Sequence, residues 1–183
     1  MRYSADHSRP DLLAAIAIIS SGMANPSEND MHALKHIEQY LLHTPDLSLT
    51  LGGDKHICLF GFSDASYLTR GDSKSRLAFC LFLNLTSGCI IAKSWKDNTV
   101  SHSSTEAEIK AIDALIREIV WMRGFLKELG YEQSTPTTIY VDNESSSALS
   151  TSMNNCSSNV SHMIMRINYI QQEIMLAQLN SNV

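Results

Sequence analysis

The first part of the chain has apolar residues at helical spacing. Residues 10–21 form one apolar run with Pro10 at its first turn, which predicts a helix. Residues 28–43 carry apolar side chains three and four positions apart, which predicts a second helix. Gly52-Gly53 indicates a turn after it. The pattern therefore predicts a helical segment over residues 1–55, with a boundary before residue 56.

From residue 56 the pattern is typical of strands. Three short apolar runs, "ICLFGFSDA", "SRLAFCLFLNL" and "CIIAKSW", each fit a strand, and Thr86–Gly88 fits the turn between the last two. An amphipathic helix follows over about residues 104–129, with Gly130 as its stop signal. "TTIYVD" predicts a fourth strand, and a short helix and a closing helix come after it. This order predicts an α/β domain over residues 56–183, with a mixed sheet flanked by helices.

The long helix has one apolar stripe that is expected to face the sheet. Its members are Ile112, Leu115, Ile119, Met122 and Leu126. Glu108 continues this stripe, whereas Glu106 lies about 200° around the helix and is expected to point mostly away. Trp121 has apolar neighbours and is expected to pack in the core, with stacking on a nucleic-acid base as the alternative for Trp95 and Trp121.

Three acidic residues occur at the ends or starts of predicted elements. Asp64 is expected at the exit of the first strand, Glu108 near the start of the long helix, and Asp142 at the end of the fourth strand. Each has a structural alternative: a turn for Asp64, a helix-dipole contact for Glu108 and a helix cap for Asp142. Acids at strand ends can converge at one edge of a sheet, and their oxygens select hard cations such as Mg²⁺ or Mn²⁺. Two such ions can promote phosphodiester hydrolysis.

Composition disfavours some classes of protein but does not identify a function. The net charge of −5 disfavours a protein that coats nucleic acid, but not an enzyme that grips a few phosphates through metal ions. No apolar run reaches the roughly 18 residues of a membrane span, and the first residues carry no apolar signal region. We therefore expect no membrane association and a cytoplasmic or nuclear setting. The four cysteines form no CxxC pair and are expected to be buried free thiols.

Seven blocks in order resemble the polyproteins of copia-type LTR retrotransposons, where reverse transcriptase gives way to ribonuclease H. The blocks are "RPDLLAAIAIIS", "HALKHIEQYLLHTPDLSL", "GFSDASY", "SSTEAEIKA", "IVWMRGFLKELG", "IYVDNESS" and "SHMIMRINYI". The resemblance covers nearly the whole chain. It implies a ribonuclease H-like fold, with a sheet of five strands or one reduced to four, preceded by a connection segment over residues 1–55.

The resemblance also implies a function and its residues. The family cuts the RNA strand of RNA–DNA hybrids endonucleolytically, and Asp64, Glu108 and Asp142 match its metal-binding acids. His162 matches a conserved position and would act as a proton shuttle, although a surface histidine at a helix start is the plainer interpretation. The implied cofactor is Mg²⁺ or Mn²⁺ in a two-metal site. The implied partners are the hybrid and the remainder of the polyprotein or reverse transcriptase, and an active element would place the chain in a virus-like particle.

The chain departs from the family pattern near its C-terminus. The family has Lys-His-Ile-Asp, whereas this chain has Ser161, His162, Met163 and Ile164. The fourth acid is therefore replaced by Ile164, which is expected to weaken the metal site. The sequence leaves three hypotheses open: an active or impaired ribonuclease H-type hydrolase, a degenerate or repurposed module that binds nucleic acid or protein without cleaving, and a fragment that acts only within a larger polyprotein. It also leaves open whether Glu106 substitutes for Glu108.

Overall fold

The described part of the chain forms a mixed four-stranded sheet with a long helix on one face. The computed structural model describes residues 1–53, 56–67 and 74–142. The strands are β1 (Phe60–Ser66), β2 (Arg76–Phe82), β3 (Ile91–Lys96) and β4 (Thr138–Tyr140). The helices are α1 (Arg2–His7), α2 (Leu13–Ser20), α3 (Glu28–His43) and α4 (Ser104–Glu128), and a 3-10 turn spans Pro10–Leu12. This arrangement confirms the predicted α/β class and is consistent with a ribonuclease H-like fold.

Among the described residues the sheet order is β3-β2-β1-β4, so β1 lies between β2 and β4, and β4 ends this order. β1 pairs antiparallel with β2 and parallel with β4, with Phe62 opposite Tyr140. The connection between the parallel strands runs through β2, β3 and α4, and a parallel pair needs such a long connection because it cannot be joined by a tight turn. Because β1 and β4 run in the same direction, their C-terminal ends reach the same edge of the sheet.

α4 packs on the sheet through the predicted stripe. All five stripe residues are buried, and Leu115, Ile119, Met122 and Leu126 form one core with Leu59, Phe79 and Leu81. The helix approaches β1 closely at Gly61, where an added Cβ would lie 3.0 Å from the Leu115 side chain. At the other end, Gly130 has a φ of 84°, and Tyr131 N–H donates to the Leu126 carbonyl at 2.8 Å, which closes the helix in a Schellman motif.

The N-terminal helices form a second apolar cluster. Its members are Ala5, Leu12, Leu13, Ile16 and Ile37, and Ala92 of β3 packs against them. The predicted helix over residues 10–21 is divided into the 3-10 turn and α2, and α1 is an additional helix that the apolar pattern did not predict. The Arg9 guanidinium joins this turn to the end of α3 through the Thr44 carbonyl, at 3.1 Å. The boundary before residue 56 stays a prediction.

Three smaller expectations have separate outcomes. Cys58, Cys80 and Cys89 are free thiols, but only Cys89 is buried. No helix in residues 1–53, 56–67 and 74–142 is both long enough and apolar enough to cross a membrane. The short helix and closing helix expected after Asp142 lie outside the described residues.

Candidate metal centre

Asp64, Glu108 and Asp142 meet at the edge of the sheet where β1 and β4 end. One carboxylate oxygen from each residue lies within 4.8 Å of the other two. Glu108 is buried, whereas Asp64 and Asp142 are exposed. The three residues are far apart in sequence, and the parallel pairing of β1 with β4 and the crossover by α4 bring them together. The predicted convergence of these acids is therefore seen in the structure, while their role as metal ligands stays a prediction.

Asp64 lies inside β1 and not at its exit, which corrects the sequence interpretation. It pairs with Ala78 of β2, and the strand continues through Ser66. Asp is depleted in strands, and burying its charge there is costly. That cost does not arise here, since Asp64 is exposed. The side chain therefore projects beside the site from a rigid paired strand.

Asp142 is placed by the register between β1 and β4. Phe62 is opposite Tyr140, and Asp64 and Asp142 each follow two residues later, so both acids project to the same side. The rings of Phe62 and Tyr140 stack at 4.9 Å between centroids. A groove next to the acids is lined by both rings and by both aspartates. The helix that Asp142 was expected to cap lies outside the described residues.

The two carboxyl oxygens of Glu108 differ in their hydrogen bonding. Oε1 accepts a hydrogen bond from Ala65 N–H at 3.2 Å, whereas Oε2 is buried without a hydrogen-bond partner. Burial, followed by the charges of Asp64 and Asp142, raises the pKa of Glu108 to about 7, despite the hydrogen bond from Ala65. A carboxylate in this position is costly in an empty site and would be stabilised by a cation. The donor set fits a hard divalent ion such as Mg²⁺ or Mn²⁺.

Glu106 pairs with groups outside the acidic cluster, which contains Glu108 instead. Its Oε2 accepts from His102 N–H at 2.7 Å, and its Oε1 pairs with Lys110 Nζ at 2.9 Å. Glu106 was expected to point mostly away from the apolar stripe, yet it is not solvent-exposed, since only 3% of it is accessible. The segment between β3 and α4 folds over it, which a helical projection of α4 alone cannot reveal.

The sequence interpretation missed a buried cluster around Lys110. Its ammonium donates to Asp97 Oδ2 at 2.9 Å, to Thr99 Oγ1 at 2.9 Å and to Ser101 Oγ at 3.0 Å. The cluster ties the segment after β3 to the first turn of α4, immediately before Glu108. The four-residue spacing of Glu106 and Lys110 was the available signal, since such pairs face each other on a helix.

Two further sequence predictions have different outcomes. Trp121 is 58% exposed, so the expectation that it packs in the core was wrong. Trp95 is half-buried and contacts the apolar core. His162, Ser161 and Ile164 lie outside the described residues, so the proposed proton shuttle and the missing fourth acid stay sequence-based predictions.

Comparison with known proteins places the chain among transposon polyproteins. It is 34% identical over 143 residues to the retrovirus-related Pol polyprotein from transposon RE2 of Arabidopsis thaliana, a match that covers 74% of the chain and 9% of the polyprotein. It is 32% identical over 150 residues to the Pol polyprotein from transposon TNT 1-94 of Nicotiana tabacum, covering 82% of the chain and 11% of the polyprotein.

The chain belongs to a family of retrovirus-related Pol polyprotein sequences. The chain is also similar to a shorter protein, secreted RxLR effector protein 161 of Plasmopara viticola, which is 36% identical over 115 residues, or 62% of the chain and 80% of the effector. The Pol-related chain spans about a tenth of the length of the polyproteins it matches. No protein-family model matches it, and no solved structure matches it.

Proposed function

We propose that this Pol-related chain is a ribonuclease H-type module that cleaves the RNA strand of RNA–DNA hybrids endonucleolytically with Mg²⁺ or Mn²⁺. The observation that carries the proposal is the carboxylate cluster of Asp64, Glu108 and Asp142, in which Glu108 Oε2 is buried and has no hydrogen-bond partner. The homology to retrotransposon polyproteins supports the same function, since hybrid removal belongs to reverse transcription. The proposed partners are the hybrid and the rest of the polyprotein.

The three carboxylates would hold the metal, and the protein would position them. When bound, divalent ions supply Lewis-acid catalysis, which makes water a better nucleophile and stabilises the leaving oxygen of a phosphodiester. Ala65 N–H fixes the Glu108 carboxyl against β1. The proposed role of His162 is to transfer a proton next to the scissile phosphate.

Proton competition gives the proposed site a pH dependence. A metal ligand must be deprotonated, and the pKa of Glu108 is raised to about 7. Metal binding should therefore strengthen as the pH rises through about 7, because the ion no longer has to displace a proton from Glu108.

Asp64→Asn tests the proposal directly. We expect cleavage of a hybrid with a labelled RNA strand to fall at least ~100-fold with Mn²⁺, since the variant removes a direct ligand and changes to outer contacts alone cost 10–100-fold. Chelator should abolish cleavage by the unmodified chain. The matched control is Glu118→Gln, a carboxylate on α4 that pairs with Lys93 away from the cluster. Cleavage by Asp64→Asn at the unmodified rate would exclude Asp64 from the mechanism.

A non-cleaving module is the second candidate, and Ile164 is the observation that favours it. The chain has no aspartate after Asp142, so the carboxylate set of the family is incomplete. This candidate predicts hybrid binding without turnover by the unmodified chain. Ile164→Asp should then restore Mn²⁺-dependent cleavage, whereas the control Ile167→Asp, which adds the same charge nearby, should not. Efficient cleavage by the unmodified chain would reject this candidate.

A further inference from the structure

The outer face of α4 carries an exposed stripe that the carboxylate site does not use. Trp121 is 58% exposed and Phe125 is 45% exposed, and their rings stack in parallel at 5.5 Å between centroids. Val120 next to them is 40% exposed. Large apolar side chains side by side on a surface are characteristic of interaction sites. The complete stripe consists of Arg117, Val120, Trp121, Gly124, Phe125 and Glu128, all of them exposed.

Gly124 lies in the middle of this stripe. Glycine in a helix interior costs about 1 kcal/mol relative to alanine, so a packing reason is expected. Apart from its own helix backbone and chain neighbours, no atom of residues 1–53, 56–67 and 74–142 lies within 4 Å of the position that a Cβ would occupy on Gly124, so these residues leave a notch there. A large side chain from another helix could approach the backbone of α4 at this point.

We propose that the stripe binds the same stripe of a second copy of this chain, with the two α4 helices antiparallel about a two-fold axis. We place the two-fold axis at the midpoint between Met122 and Arg123 along α4. Trp121 of each copy then faces the notch at Gly124 of the other copy. Symmetry repeats the contact, because each patch of a two-fold interface meets itself. The same axis places Val120 opposite Phe125.

The charges at the ends of the stripe fit this pairing. The axis that fits Trp121 to Gly124 also places Arg117 opposite Glu128 of the second copy. Glu128 ends α4, where the helix dipole disfavours a carboxylate. Arg117 bonds to Asp113 at 3.0 Å, yet its side chain is 64% exposed and has further donors. In this arrangement, opposite charges meet at both ends of the contact. At its centre, the large side chain of Trp121 lies opposite the small residue Gly124.

The predicted dimer is weak, because one helix stripe is smaller than a standard protein interface. We expect the unmodified full chain to show a monomer–dimer equilibrium in sedimentation velocity, with a Kd on the order of 10–500 µM. Trp121→Ala should raise the Kd at least ~10-fold. Gly124→Leu should raise it similarly, although leucine improves helix propensity and should not destabilise the monomer.

Charge reversal tests the orientation of the helices. Arg117→Glu should weaken the dimer, and Arg117→Glu combined with Glu128→Arg should restore most of the affinity, since the opposite charges meet again. The matched control is Leu85→Ala, which truncates an 86% exposed leucine elsewhere and should leave the Kd unchanged. A monomer at all concentrations would overturn the proposal, and so would a dimer that Trp121→Ala or Gly124→Leu does not weaken. Failure of the double variant to recover would overturn the antiparallel arrangement.

Discussion

Glu108 is a buried carboxyl whose charge is expected to reduce the stability of the fold. Its pKa is raised from 4.5 to about 7, so the folded chain binds a proton at Glu108 more tightly than the unfolded chain does. The free energy of unfolding should therefore decrease as the pH rises from about 4.5 to about 7, because the native state must then bury the charge. In the absence of metal this carboxyl destabilises the fold at neutral and higher pH.

Glu108→Gln should remove that cost. In the presence of chelator, we expect the variant to be about 1–3 kcal/mol more stable than the unmodified chain at pH 8, and the difference should shrink towards zero near pH 4. Urea unfolding at several pH values would measure this. The same variant should lose the stabilisation that Mn²⁺ gives to the unmodified chain. If Glu108→Gln instead lowered the free energy of unfolding equally at pH 4 and pH 8, no charge would be buried at this position.

Lys110 links two neighbouring elements, because it joins the segment after β3 to the first turn of α4. The ammonium is 7% exposed and neutralises both Asp97 and Glu106. Burial raises the pKa of Asp97, but the hydrogen bonds from Lys110 and Thr99 outweigh it and hold this pKa below its ordinary value. Removing the ammonium would leave two buried carboxylates without their cation.

Lys110→Met should destabilise the chain by about 3 kcal/mol, because breaking a buried ion pair leaves an uncompensated charge. The control is Lys93→Met, since Lys93 pairs with Glu118 at a solvent-exposed position and should contribute less than about 1 kcal/mol. Urea unfolding at pH 7 would compare the two variants. Similar losses for both would mean that the Lys110 cluster is not stronger than a surface ion pair.

At the scale of the whole molecule, the N-terminal segment contacts the sheet and its loops through apolar packing and hydrogen bonds. Ala92 packs against the N-terminal cluster, Arg76 Nη2 donates to Ser21 Oγ at 3.1 Å, and Gly88 N–H donates to the Thr50 carbonyl at 2.8 Å. β3 is an edge strand, and an uncovered edge strand promotes aggregation. The predicted boundary before residue 56 therefore separates segments that share an apolar contact.

Deletion of residues 1–53 should lower the melting temperature by roughly 4–8 °C, because it exposes the part of β3 that the helices cover. Circular dichroism melts of the full and shortened chains would measure the difference, and light scattering would detect aggregation. An unchanged melting temperature would indicate that residues 1–55 and 56–183 are independent domains.

The sequence predicted well those features that depend on local signals. The bounds of α3 follow from its apolar spacing and from Ser27, whose side chain accepts a hydrogen bond from Asp30 N–H in a capping box. The end of α4 follows from Gly130. Convergence of Asp64, Glu108 and Asp142 was also predictable, because a strand–helix–parallel strand order brings the ends of both strands to one edge.

Features that depend on contacts between distant segments were not predictable. Glu106 is buried because the segment after β3 folds over it, and no property of α4 alone indicates this. The apolar neighbours of Trp121 in sequence suggested burial, but the helical rotation that places Ile119 and Met122 on the sheet turns Trp121 outwards. Local composition therefore did not decide which face of the helix this residue occupies.

We expect pairing of the three-residue strand β4 to be the folding step that completes the acidic cluster. Asp64 and Glu108 are already neighbours once α4 docks on the first hairpin, but Asp142 joins them only after β4 pairs in register with Phe62 opposite Tyr140. A slip of one residue would turn Asp142 to the opposite side of the sheet. If the cluster is catalytic, a nascent or misfolded chain in which β4 is unpaired would be inactive. Nuclease activity would then indicate that β4 has paired with β1.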